Sequence, residues 1–84
     1  MKITFFNDGS HGWYAVKRKR LESMGLLDKI SPYSYQRGQT VYLEEDADAT
    51  LFFDKLSEEE RKIITTKSSY RNISPIRYYE RFTK

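Results

Sequence analysis

The chain has 84 residues, 38% of them hydrophobic, with no cysteine and a formal charge of +3. A chain of this length holds one domain with one modest core. Without cysteine it has neither a disulfide framework nor a thiolate metal site, so the cytoplasm is the expected compartment. The opening Met1-Lys2-Ile3-Thr4-Phe5-Phe6-Asn7-Asp8 turns polar too early for a secretory signal, and no apolar run approaches the ~18 residues of a membrane span.

Lys2-Ile3-Thr4-Phe5-Phe6 is β-branched and aromatic and reads as a strand, followed by turn chemistry at Asn7-Asp8-Gly9-Ser10. A hairpin to Trp13-Tyr14-Ala15-Val16 follows. Arg18 to Met24 places Leu21 and Met24 three apart, with Gly25 suited to end a short helix. Leu26, Leu27 and Ile30 form an apolar corner before Ser31-Pro32, which forces extended or turn geometry. Tyr33 and Tyr35, the Arg37-Gly38 turn and Val41-Tyr42-Leu43 predict a second hairpin.

Asp46 or Asp48 can cap a helix running through Leu51-Phe52-Phe53 to Leu56. Ser57 and Glu60 have capping-box spacing, whereas Lys62-Ile63-Ile64-Thr65-Thr66 favours a strand, and the pattern alone leaves the boundary open. The tail carries turn residues at Ser68-Ser69, Asn72 and Ser74-Pro75, then Ile76 to Phe82 as a candidate edge strand. The order strand, strand, helix, strand, strand, helix, strand predicts an α+β domain. Its sheet is expected to be antiparallel or mixed, with two short helices on one face. Residues 1–84 form that single domain, with a basic C-terminal tail from about residue 68 whose order the sequence leaves open.

Charge is segregated along the chain. Residues 1–43 sum to +4, residues 44–60 to −7 and residues 61–84 to +6. These blocks either neutralise one another in the fold or leave a basic face for a polyanion. The Lys17-Arg18-Lys19-Arg20 run opposes the dipole of the helix it begins, so local stability does not account for it. Lys17, Arg18, Lys19, Arg20, Arg71, Arg77 and Arg81 are therefore candidates for nucleic-acid or partner contact. Tyr78 and Tyr79 offer rings on which bases or partner side chains can stack.

Other chemistry finds little support. His11, the one histidine, lies beside Ser10 and Asp8 in a single turn, whereas the members of a catalytic triad come together from separate segments. Gly9 and Gly12 match neither the P-loop nor the dinucleotide fingerprint. Glu44-Glu45-Asp46-Ala47-Asp48 lacks the glycine and terminal glutamate of a calcium loop. No catalytic residue, metal site or cofactor is expected.

His11-Gly12-Trp13, Tyr33-Ser34-Tyr35-Gln36-Arg37-Gly38 and Tyr42-Leu43-Glu44-Glu45-Asp46-Ala47-Asp48-Ala49 together resemble short uncharacterised proteins of phages and bacterial mobile elements. The resemblance covers roughly residues 9–53, with Ala47 standing where those proteins carry Cys. It implies a non-enzymatic accessory protein that inhibits a host protein, such as a defence nuclease or toxin ribonuclease, with a basic surface touching RNA. The alternative is a sequence-nonspecific nucleic-acid-binding protein.

Overall fold

The structure is a computed structural model that describes residues 2–72 and 74–84. β1 (Lys2–Asn7) and β2 (Gly12–Lys17) form the expected first hairpin. Asp8 holds its turn, with Oδ1 accepting the backbone N–H groups of Ser10 (3.0 Å) and His11 (2.9 Å). Such a side chain replaces a backbone acceptor and so fixes a turn locally. β3 (Tyr35–Arg37) and β4 (Thr40–Glu44) form the second hairpin, and β4 pairs with β2.

Two further strands complete a six-stranded sheet of order β5-β1-β2-β4-β3-β6. β5 (Thr65–Tyr70) lies parallel to β1, and β6 (Glu80–Arg81) lies antiparallel to β3. The sheet is thus mixed, and with its helices the domain is α+β.

Side chains alternate between the two faces of a sheet. On the first face Ile3, Val16, Val41 and Leu43 pack with Leu21 of α1 (Arg18–Ser23) and with Ala49 and Phe52 of α2 (Asp48–Lys55). Leu26, Ile30, Leu56 and Phe82 complete this cluster. Phe52 is fully buried, and a side chain of that size contributes about 1.5–3 kcal/mol on burial.

α1 ends as its glycine predicts. Gly25 has φ +70, the left-handed region that glycine occupies without strain. Its N–H donates to the Glu22 carbonyl (3.0 Å), and the Leu26 N–H donates to the Leu21 carbonyl (2.9 Å). This paired closure places buried Leu26 against the core.

The start of α2 differs from expectation, because neither Asp46 nor Asp48 caps it. The Glu44 carboxylate reaches forward from β4 and accepts the backbone N–H groups of Asp46 (3.0 Å), Ala47 (2.8 Å) and Asp48 (3.3 Å). Asp48 is 2% exposed and turns inward. It accepts the Ser31 N–H (3.1 Å), the Ser31 hydroxyl (2.7 Å) and the Ser34 hydroxyl (2.5 Å). Ser34 Oγ in turn accepts the Glu44 N–H at 2.9 Å. A carboxyl group is tolerated in the interior when it is hydrogen-bonded this fully, and here it ties three segments together.

Both readings of residues 57–66 are realised in succession. The Ser57 hydroxyl accepts the Glu60 N–H (3.1 Å) and the Glu60 carboxylate accepts the Ser57 N–H (3.0 Å), starting α3 (Glu58–Ile63). Ile64 then turns extended and leads into β5.

Of the expected final strand, only Glu80–Arg81 pairs. The preceding Pro75–Tyr78 forms a 3₁₀ strap, begun by Ser74 Oγ accepting the Ile76 N–H at 3.3 Å. Ile76 and Ser74 are buried, and Phe82 returns to the first-face core, its N–H donating to the Ser34 carbonyl at 2.8 Å.

Ser34→Ala should lower stability by about 2–4 kcal/mol, because it removes a donor from Asp48 and leaves the Glu44 N–H unpaired. Urea unfolding checks this. A loss below about 0.5 kcal/mol would show that the network is replaceable.

Candidate functional site

Trp13 lies between the first-face residues Gly12 and Tyr14 in β2, so its ring belongs to the opposite face, together with those of Phe6, Tyr35 and Tyr42. Trp13 is 2% exposed and lies outside the first-face cluster. Ring centroids are 6.1 Å apart for Trp13 and Tyr35 and 5.9 Å for Phe6 and Tyr42. Tyr79, just after the strap, places its ring 5.2 Å from that of Tyr42.

Three guanidinium groups cover these rings. Arg77 lies 5.9 Å from the Trp13 centroid, Arg81 5.6 Å from Tyr35 and Arg37 5.0 Å from Tyr79. All fall within the ~6 Å over which a cation is attracted to a ring face. Arg77 also donates through Nε to Asp8 Oδ2 and through Nη2 to His11 Nδ1 (3.0 Å). A guanidinium has no acceptor, so His11 Nδ1 is the accepting atom of this pair.

The hydrogen bond from Arg77 holds the Asp8 carboxyl well below its ordinary 3.8, helped by the His11 N–H and opposed by desolvation. The same pairing raises Arg77. Both carboxylate oxygens of Asp8 are therefore engaged by the turn and the strap. Asp8 contacts the His11 backbone and leaves the imidazole to Arg77, so this carboxylate does not orient the ring.

Beside this cluster opens a cleft of ≈ 470 Å³, its wall including His11, Trp13, Tyr33, Tyr35 and Arg81 together with Glu44, Glu45 and Asp46. Tyr33 is 72% exposed and so available to a visitor. Arg81 is oriented by donating from Nη1 to the Pro32 carbonyl at 3.0 Å. Gly12 lines the same cleft, and a Cβ there would lie 2.3 Å from the Phe5 ring and 2.7 Å from Glu45 Oε2. Only a residue without a side chain lets both groups approach as they do.

The structure brings together some of the sequence-predicted residues and separates others. Arg77, Tyr79 and Arg81 gather on the second face, and Tyr78 projects beside them at 81% exposure. The run at 17–20 fans apart. Arg18 donates to Gln36 Oε1 (3.2 Å) and to the Thr83 carbonyl (3.2 Å), and its guanidinium lies 5.4 Å from the Phe82 ring. Arg20 pairs with Glu60 at 2.6 Å, so part of the basic and acidic blocks meet inside the fold. Tertiary contacts therefore give Arg18 and Arg20 a role in the fold, which local helix stability does not. Lys17, Lys19 and Arg71 are exposed. Among the described residues, no group of three or more His, Asp or Glu side chains is placed to hold a metal ion. No described helix is long and apolar enough to cross a membrane.

Tyr33, Tyr35 and the acidic wall were not singled out from the sequence as a site. The cleft joins residues 10–13, 33–35, 44–46 and 81, and no local motif reports such a meeting. The alternation of Tyr33 and Tyr35 was the one available signal.

Asp8→Asn should keep the Oδ1 acceptor for the two turn amides while losing the charge pair with Arg77. Because folding depresses the Asp8 pKa, its contribution is complete above the unfolded value near 3.8 and is lost as pH falls below it. Wild type should lose thermal stability more steeply than Asp8→Asn between about pH 4 and pH 2. Parallel pH profiles would contradict the pairing.

No known protein family matches this chain, and no curated protein or solved structure is similar to it.

Proposed function

We propose that this chain is a non-enzymatic binding protein that engages a partner protein through the second-face cleft. The observation that carries this reading is the grouping of exposed Tyr33 with Tyr35 and Arg81, backed by buried Trp13, with Glu44, Glu45 and Asp46 in one wall. Trp, Tyr and Arg supply most strong anchors at protein interfaces. The carboxylates give the cleft a mixed sign, which suits a protein surface and disfavours a phosphate backbone. Arg18, Arg20 and Arg77 are held in internal contacts, which lowers their availability to a polyanion.

The resemblance to short phage proteins supports the narrower reading of a host-protein inhibitor acting in the host cytoplasm, with a defence nuclease or toxin ribonuclease as the partner class. Exposed Lys17, Lys19 and Arg71 favour the second reading, sequence-nonspecific nucleic-acid binding. A tagged pull-down with and without nuclease treatment separates the two. The protein-binding reading expects a partner that survives nuclease. Tyr33→Ser should weaken that partner at least tenfold, the scale of an interface anchor worth about 1.4 kcal/mol or more. An exposed substitution of this kind changes stability by only about 0.5 kcal/mol. Partners that vanish with nuclease, or that ignore Tyr33→Ser, would contradict the reading.

A further inference from the structure

β5 is the outermost strand of the sheet, with β1 as its one neighbour among the described residues. In a parallel ladder a residue directs its N–H and C=O to the same side, and the side alternates along the strand. The Arg71 N–H donates to the Asn7 carbonyl at 3.0 Å, directly after the last ladder pair, Asn7 with Tyr70. Counting back in twos, Ser69, Lys67 and Thr65 address β1. Thr66, Ser68 and Tyr70 therefore direct their N–H and C=O groups outward, away from the sheet.

This edge is open and long. Every side chain of β5 except Ser69 is exposed, with no proline and no neighbouring strand to blunt the six residues. Proteins normally cover or interrupt such an edge, because it templates pairing with another chain. Here the one guard is Lys67, midway along.

Charge selects the occupant. Between residues 61 and 79 the chain carries Arg61, Lys62, Lys67, Arg71 and Arg77, without a single Asp or Glu. Exposed Lys2 on β1 pairs in register with Thr65 and adds to the field. We propose that the β5 edge accepts an extended acidic segment of a partner protein as a seventh strand. Its backbone would complete the ladder at Thr66, Ser68 and Tyr70, and its carboxylates would answer Lys67 and the flanking arginines. A second copy of this chain fits poorly, since antiparallel self-pairing through Thr66, Ser68 and Tyr70 sets Lys67 diagonally against both Lys67 and Arg71 of the other copy, with no carboxylate between them. Nucleic acid can neutralise the cations but has no alternating amide donors and acceptors to pair with the strand. This surface lies at the edge opposite β3 and β6, apart from the cleft, so either can fail without the other.

The test uses a synthetic ten-residue peptide alternating Glu with Val and Thr, its counterpart with Lys in place of Glu, and a single-stranded oligonucleotide. The full chain is followed by amide hydrogen exchange. The acidic peptide should give saturable protection of at least tenfold at the Thr66, Ser68 and Tyr70 amides, and the lysine peptide should give none. Ser68→Pro removes one outward N–H without taking a bond from the β1 ladder, an edge position where proline is tolerated. It should retain the wild-type circular dichroism and bind the acidic peptide at least tenfold more weakly. Lys67→Glu leaves the backbone intact and should transfer the preference to the lysine peptide, which keeps the test decisive if the proline variant fails to fold. No saturable protection at millimolar peptide would overturn the proposal. So would binding that ignores both variants, the same three amides protected by the oligonucleotide, or protection that rises with protein concentration alone.

Discussion

Arg77 joins the two ends of the chain, since its guanidinium bonds to Asp8, 69 positions away, and lies over Trp13. The chain has a reason to be held there. After β5 it must cross from one edge of the sheet to the other to deliver β6 beside β3, and the strap is the only described segment that makes this passage over the second face. A buried Ile76 anchors it apolarly, and the Asp8 turn anchors it electrostatically. Everything proposed for the cleft rests on this docking. Tyr79 and Arg81 reach the sheet rings through it, and Arg81 forms part of the cleft wall.

A domain of this size buries a modest share of its surface and is marginally stable. Its polar interior is accordingly economical. Ser31, Ser34, Glu44 and Asp48 satisfy one another and several backbone amides, fixing the tyrosine loop, the end of β4 and the start of α2 in one arrangement. This network positions the two sides of the cleft, because Tyr33 flanks Ser34 and Asp46 lies between Glu44 and Asp48. The site is thus set by the fold on one side and by the strap on the other.

Much of the fold was legible where the signal is local. β-branched and aromatic residues bounded by turn residues mark β1 to β4, and Gly25 marks the end of α1. The cap of α2 is not legible in the loop residues, because Glu44 acts from the preceding strand. The tail was read as one strand because Ile76 to Phe82 is rich in strand-forming residues. Its first half bends into a 3₁₀ turn because Ser74-Pro75 begins one and Ile76 finds a pocket that local sequence does not reveal. The run at 17–20 divides for a reason that is also not local. Adjacent cations suggested one surface, yet the passage from strand to helix sends Arg18 toward Thr83 and Arg20 toward Glu60. Arg77, Tyr79 and Arg81 were singled out for their chemistry, but the aromatic rings they cover are contributed by distant strands.

Trp13 is the one tryptophan of the chain and is 2% exposed, so its fluorescence reports directly on whether the strap is in place. The decisive measurement is acrylamide quenching of Trp13 in Ile76→Ala against wild type, at a temperature where the two far-ultraviolet dichroism spectra coincide. If the strap builds the second face, quenching in the variant should rise several-fold toward that of a free indole while the sheet signal persists. A Trp13 that stays as shielded as in wild type would show that the sheet face is closed without the strap, and would contradict the account.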